Sequence, residues 1–142
     1  MATALNDKYS HLKLKILDPE FKYVLFLNAA DLWENVKRIQ NRLSDQPYFI
    51  FCTSDDNSVI LPSSSPIKGT KEEPGWRAFR IIGEMPFGSV QGLIATVSSQ
   101  LKEKGLGLCV ISTFLTDYFF VKEKHLKLTM EALKETGWEF IQ

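Results

Sequence analysis

Cysteine and histidine are scarce in this chain, with two of each among 142 residues. No group of them has the spacing of a zinc site, so no metal is expected. Cys52 and Cys109 lie inside apolar, strand-like runs and are expected as buried, reduced thiols. An excess of one charge is also missing, because 17 basic residues balance 17 acidic ones. A protein that holds a polyanion usually carries a basic excess, so no nucleic acid and no membrane is an expected partner. No apolar run approaches the ~20 residues of a spanning helix, and 1–10 lacks the apolar core of a signal peptide. A cytoplasmic protein is expected. Phosphate-cradling runs of the GxxxxGK[ST] or GxGxxG kind do not occur, and no serine or cysteine has a histidine at a catalytic spacing. His11 and His125 read as solvated surface residues, and the carboxylates form no dyad. Neither catalysis nor a cofactor is expected.

The hydrophobic patterning is regular. With 44% hydrophobic residues the chain suits one domain or two small ones. Residues 1–10 read as a loose tail. From 11 to 16, Leu12, Leu14 and Ile16 alternate with Lys13 and Lys15, which predicts a half-buried strand. Asp18-Pro19 breaks it, and 21–27 predicts a second strand with both faces apolar. Asn28 can cap a helix whose stripe is Leu32, Val36, Ile39 and Leu43. Strands at 48–53 and 58–61 flank the turn signal Asp55-Asp56-Asn57. Proline, serine, glycine and charge then crowd 62–75, which reads as a linker between units at 11–61 and 76–142.

Beyond it the pattern predicts a strand at 76–82, a loop at 83–88 and a helix from Ser89 with the stripe Val90, Leu93, Ile94, Val97 and Leu101. Strands at 106–113 and 117–122 follow, then a helix carrying Leu126, Thr129, Met130 and Leu133, then a strand at 138–141. The order β-α-β-β-α-β is ferredoxin-like, with both helices expected on one face of a four-stranded antiparallel sheet. The expected fold class is therefore α+β: a ferredoxin-like unit preceded by an incomplete β-β-α-β-β relative with no segment for its second helix.

Two activities share this strand order and do not fit the residues. Acylphosphatase-like enzymes need an arginine in the first loop, and Glu84-Met85-Pro86-Phe87-Gly88 has none. RNA-recognition modules set a basic residue and a glycine before the aromatics of their third strand. Here Thr116-Asp117 stand at that place, and an acid there repels phosphate.

Two loops carry the better signal. Gly88 allows a sharp turn, and the free amides of Ser89 and Val90 at a helix start suit a carboxylate. The turn from Ser112 to Asp117 adds hydroxyls, backbone groups and one carboxylate. An amide cradle beside an acid matches a zwitterionic amino acid. The plain alternative is a capped helix and an ordinary hairpin, with Asp117 bonded to its own backbone.

The residues Trp76 to Arg80, Ser112 to Phe114, Thr116 to Tyr118 and Val121 to Glu123 resemble the tandem ACT-domain proteins, a group related to the cytosolic arginine sensors and to small bacterial double-ACT proteins. The resemblance covers about 11–141 and is strongest from Trp76 onward. ACT domains are regulatory modules that usually bind amino acids between paired domains. The resemblance implies Gly88, Ser89 and Val90 in the strand-to-helix loop, with Thr113, Phe114, Thr116 and Asp117 in the turn, as ligand contacts. The opposing domain would supply the backbone of Gly107 and Leu108. The sensors carry four ACT units, so a homodimer is expected to restore that number. Val90 stands near an acid of the sensors and Thr116 replaces an aromatic residue, which leaves the amino acid open. The rival expectation is a ligand-free dimerisation module that recruits a protein partner.

Overall fold

In the computed structural model, residues 9–42, 45–84 and 92–141 are described. Eight strands and three α-helices occur among them: β1 (Lys13–Ile16), β2 (Phe21–Leu25), α1 (Ala29–Ile39), β3 (Phe49–Cys52), β4 (Asn57–Pro62), β5 (Lys71–Ile82), α2 (Leu93–Glu103), β6 (Cys109–Ser112), β7 (Asp117–Lys122), α3 (Leu126–Glu135) and β8 (Phe140–Ile141). Contacts divide the chain into a split unit, Met1–Asp18 with Arg77–Gln142, and an inserted unit, Pro19–Trp76. The expected boundaries placed the strand at 11–16 with the first half. It belongs instead with the second, because β1 pairs antiparallel with β5 from Lys13↔Ile82 to Ile16↔Phe79.

In the inserted unit β2 pairs antiparallel with β4, β4 with β3, and β2 with the first part of β5. The expected linker at 62–75 is thus strand from Lys71 onward. Its Pro74-Gly75 pair sits where the register shifts between Phe21 and Tyr23, and Gly75 has φ +83°. A bulge absorbs a proline that cannot donate and a glycine with positive φ. Asn28 caps α1 as expected, accepting from the Asp31 amide at 2.9 Å. Leu32, Val36 and Ile39 of α1 pack on Val24, Phe26, Val59 and Leu61. The other side of the 21–27 segment is more open than its two apolar faces suggested, with Leu27 74% exposed. Among the described residues no second helix covers this core. Ile67, 4% exposed, fills it from the segment between β4 and β5.

In the split unit the neighbours run β6, β7, β5, β1, β8. The four strands of a ferredoxin-like sheet are present, and β1 is a fifth, placed between β5 and β8 and parallel to β8. Both helices cover one face, as expected: Leu93, Val97 and Leu101 of α2 and Ala132 and Leu133 of α3 meet Leu14, Phe79, Ile81, Phe119 and Val121. Phe79 and Phe119 stack at 5.1 Å between ring centroids. The helix expected from Ser89 is described from Leu93, with Gly92 at its start. The thiols depart from expectation: Cys52 is exposed and Cys109 half-buried. Cys52 is the last residue of β3, opposite Asn57, and its thiol donates to the Asn57 Oδ1 at 3.4 Å.

Candidate functional site

Alternation along two strands of the split unit decides which side chains meet. Phe79 and Ile81 of β5 face the helices, so Arg80 faces away from them. Phe119 and Val121 of β7 face the helices, so Tyr118 also faces away and Asp117 faces in. Where β5 ends and the β6–β7 turn closes, a cleft of about 810 Å³ opens, lined by Arg80, Gly83, Glu84, Phe114, Leu115 and Tyr118, with Thr113 and Thr116 at its wall.

The turn is held by its own threonines. The amide of Thr113 donates to the Thr116 carbonyl at 2.8 Å, and the Thr113 hydroxyl donates to the same carbonyl at 3.0 Å. The Thr116 amide donates back to the Thr113 hydroxyl at 3.2 Å, and the Thr116 hydroxyl donates to the Ile81 carbonyl at 2.8 Å. Both hydroxyls are therefore engaged in the fold. Phe114 and Leu115 project from the tip, 75% and 76% exposed.

Charge is placed in the cleft in both signs. Arg80 stands opposite Lys15 of β1 on the adjacent strand, a like-charge pair that raises the local attraction for an anion. The Nε of Arg80 is buried with no hydrogen-bond partner among the described residues. Neither the Arg80 guanidinium nor the Glu84 carboxylate has an ion-pair partner among the described residues. The Glu84 carbonyl meets His11 Nε2 at 3.2 Å, which fixes the backbone at the cleft edge.

The expected site residues fall in three places. Gly88, Ser89 and Val90 lie outside the described residues. Thr113, Phe114 and Thr116 line the cleft. Asp117 does not line it; the carboxylate residue is only 9% exposed and has no ion pair among the described residues. Gly107, exposed, and Leu108, packed against the helix-side core, precede β6 and so stand at the far end of that strand from the turn. Sequence reasoning did not single out Arg80, and it set Glu84 aside as pointing away from the helix start. The available signal was a charged residue set between Ala78-Phe79 and Ile81-Ile82, where a strand is otherwise apolar. Among the described residues no group of three or more His, Cys, Asp or Glu could hold a metal ion.

Residues 71–135 match the family model of the ACT domain, from the first residue of β5 to the last of α3. This stretch is similar to an ACT domain. The ACT match covers the helices and the cleft-forming turn of the split unit and leaves most of the inserted unit outside. Among the described residues the inserted unit nevertheless keeps the same strand order with one helix fewer. No curated protein sequence matches the chain. Among solved structures, a protein from Agobacterium tumefaciens is similar with a TM-score of 0.71 and 24% identity, covering 92% of each chain. A protein of unknown function from Vibrio cholerae, described as a possible transport protein, gives a TM-score of 0.63 at 17% identity, over 89% of this chain and 91% of that one. The ligand-free regulatory subunit of aspartate kinase from Thermus thermophilus gives 0.59 at 7% identity, over 87% and 97%. At these identities the likeness establishes a shared fold. Among the described residues no helix is long and apolar enough to cross a membrane.

Proposed function

We infer that this chain is an ACT-type, amino-acid-binding regulatory module of the cytoplasm with no chemistry of its own. One observation carries the reading: Arg80 and Glu84, of opposite charge and without ion-pair partners among the described residues, line the same cleft. Four residues of extended chain separate their Cα atoms by at most about 13 Å, within the reach of a guanidinium arm and a glutamate arm closing on a small zwitterion. Arg80 takes the carboxylate in a charge-assisted contact and Glu84 takes the ammonium. Phe114 and Leu115, otherwise costly apolar groups in water, supply a wall for the ligand side chain. A second copy completes the site, its Gly107 and Leu108 backbone facing the turn of the first, so the working form is a homodimer.

Thermal melting of the full chain against each of the twenty amino acids tests this reading. A ligand at ~100 times its Kd should add about 2.7 kcal/mol, and Arg80→Ala should abolish the response while the apo protein stays folded. A ligand response that survives Arg80→Ala places the carboxylate elsewhere. If no amino acid stabilises the chain and sedimentation still gives twice 16.2 kDa, the ligand-free dimerisation reading replaces it. The exposure of Phe114, Leu115 and Leu128 is what favours that second reading.

A further inference from the structure

The inserted unit has a cleft of its own, and its origin is the missing helix. In the split unit α2 and α3 pack side by side over the sheet. Among the described residues of the inserted unit only α1 is present, and the place of a second helix is taken by the segment 63–70. That strap is pinned at several points. The Lys22 ammonium donates to the Ile67 carbonyl at 2.7 Å, and the Thr70 amide donates to the Leu25 carbonyl at 2.8 Å. Gly69 lies so close to β2 that a Cβ would run into the Leu25 carbonyl oxygen. A strap this thin cannot fill the volume of a helix, and a cleft of about 620 Å³ remains between it and α1.

Every charged residue that lines this cleft is basic. Arg38 comes from the last turn of α1 and Arg42 from the turn that follows it, where the Arg42 amide donates to the Ile39 carbonyl at 2.8 Å. Lys68 reaches in from the strap, and Asn35, Ile39, Pro66 and Ile67 complete the lining. None of the three cations is in an ion pair among the described residues. In a chain of zero net charge, three unpaired cations around one cavity are a local concentration that composition did not foretell. Basic residues at a helix C-terminus answer the macrodipole, but that end carries only about half an elementary charge. The dipole accounts for neither the third cation nor its origin on a different segment. The cleft also lies within the size range of small-molecule sites.

We propose that this cleft binds a small phosphate-bearing anion, with Arg38 and Arg42 on the phosphoryl oxygens and Lys68 closing from the strap. Guanidinium pairs match phosphate in geometry, and three positive charges match a group carrying about two negative ones. The site is separate from the cleft lined by Arg80, so the protein reads two chemically different ligands.

Pyrophosphate and glucose 1-phosphate, titrated into the full chain by calorimetry at fixed ionic strength, are the probes. Saturable binding is expected for both, with glucose and sodium chloride inactive. Arg42→Ala and Lys68→Ala should each weaken it about tenfold or more; the side chains are exposed, so both variants should fold. Arg80→Ala and the surface change Lys102→Ala, both in the split unit, should leave it unchanged. Binding lost in Arg80→Ala would put the anion in the other cleft and overturn the proposal. So would binding that Arg42→Ala and Lys68→Ala both leave intact, or an effect that sodium chloride reproduces.

Discussion

The two units reach the same strand order by different means. The split unit covers its sheet with α2 and α3 and adds β1 as an extra strand, whereas the inserted unit covers its sheet with α1 and a strap. Strand order is therefore the conserved quantity and the second helix the replaceable one. A helix contributes a stripe of apolar side chains. In the inserted unit one side chain, Ile67, replaces the stripe, and a glycine at position 69 lets the backbone come close enough for it to do so. The economy has a consequence for binding. Two packed helices leave little space between them, and a strap beside a helix leaves a cleft with a charged rim.

The core substitutions that would break this comparison have the largest expected effects. Phe79→Ala removes a fully buried ring from the split unit and its stack on Phe119. A loss of about 3–5 kcal/mol is expected. Ile67→Ala should cost the inserted unit about 2–5 kcal/mol. Native-state hydrogen exchange distinguishes the two. Ile67→Ala should lower protection at Val24 and Val59 more than at Phe119 and Val121, and Phe79→Ala should do the reverse. Equal losses everywhere in both variants would mean that the units unfold as one, and that the strap is not an independent substitute for a helix.

Much of the fold was legible because its signals are local. The six residues expected as a strand at 117–122 coincide with β7, and Asn28 followed by Leu32, Val36 and Ile39 announces α1. What escaped is non-local or masks itself locally. Lys71 to Gly75 carries charge, a proline and a glycine and so reads as a loop, yet cross-strand pairing with β2 makes it strand and a bulge takes up the misfit. Nothing in 13–16 says that its partner lies more than sixty residues away; the register with β5 does. The cleft was legible in part. The turn from Thr113 to Thr116 stands out in the sequence, but Arg80 reads as one polar residue on an alternating strand until the strand end and the turn are placed around it.

The strap's clamp supplies the next test. Lys22 is 7% exposed, and its ammonium bonds the Ile67 carbonyl at 2.7 Å and Glu72 at 2.8 Å. Lys22→Met keeps the aliphatic packing and leaves a buried carbonyl without that donor, which should cost about 1–3 kcal/mol by denaturant unfolding. A neutral result would show that Ile67 is held by packing alone. Asn28→Ala follows, with an expected loss of about 1 kcal/mol. Of the three helices, α1 has a side-chain cap, while α2 and α3 start at Gly92 and His125 without one. A lone helix without a neighbouring helix has more need of its cap, so protection in α1 should fall first.

The smallest effect is expected at Asp117. Its residue is 9% exposed, faces the helix side of β7, and has no ion pair among the described residues. A carboxylate in that setting loses hydration without a compensating cation. Asp117→Asn keeps the size and removes the charge, so ligand-free stability should hold or rise slightly, within about 0.5 kcal/mol. The effect on amino-acid affinity then divides the two possible ammonium partners. If Glu84 holds the ammonium in the outward cleft, Glu84→Gln should weaken binding about tenfold or more and Asp117→Asn much less. The opposite ranking would move the ammonium to the helix side of the sheet, where the turn's last residue and not the strand's end meets the ligand. A marked fall in apo stability on Asp117→Asn would give the carboxylate a structural role instead, as the anchor of its own turn.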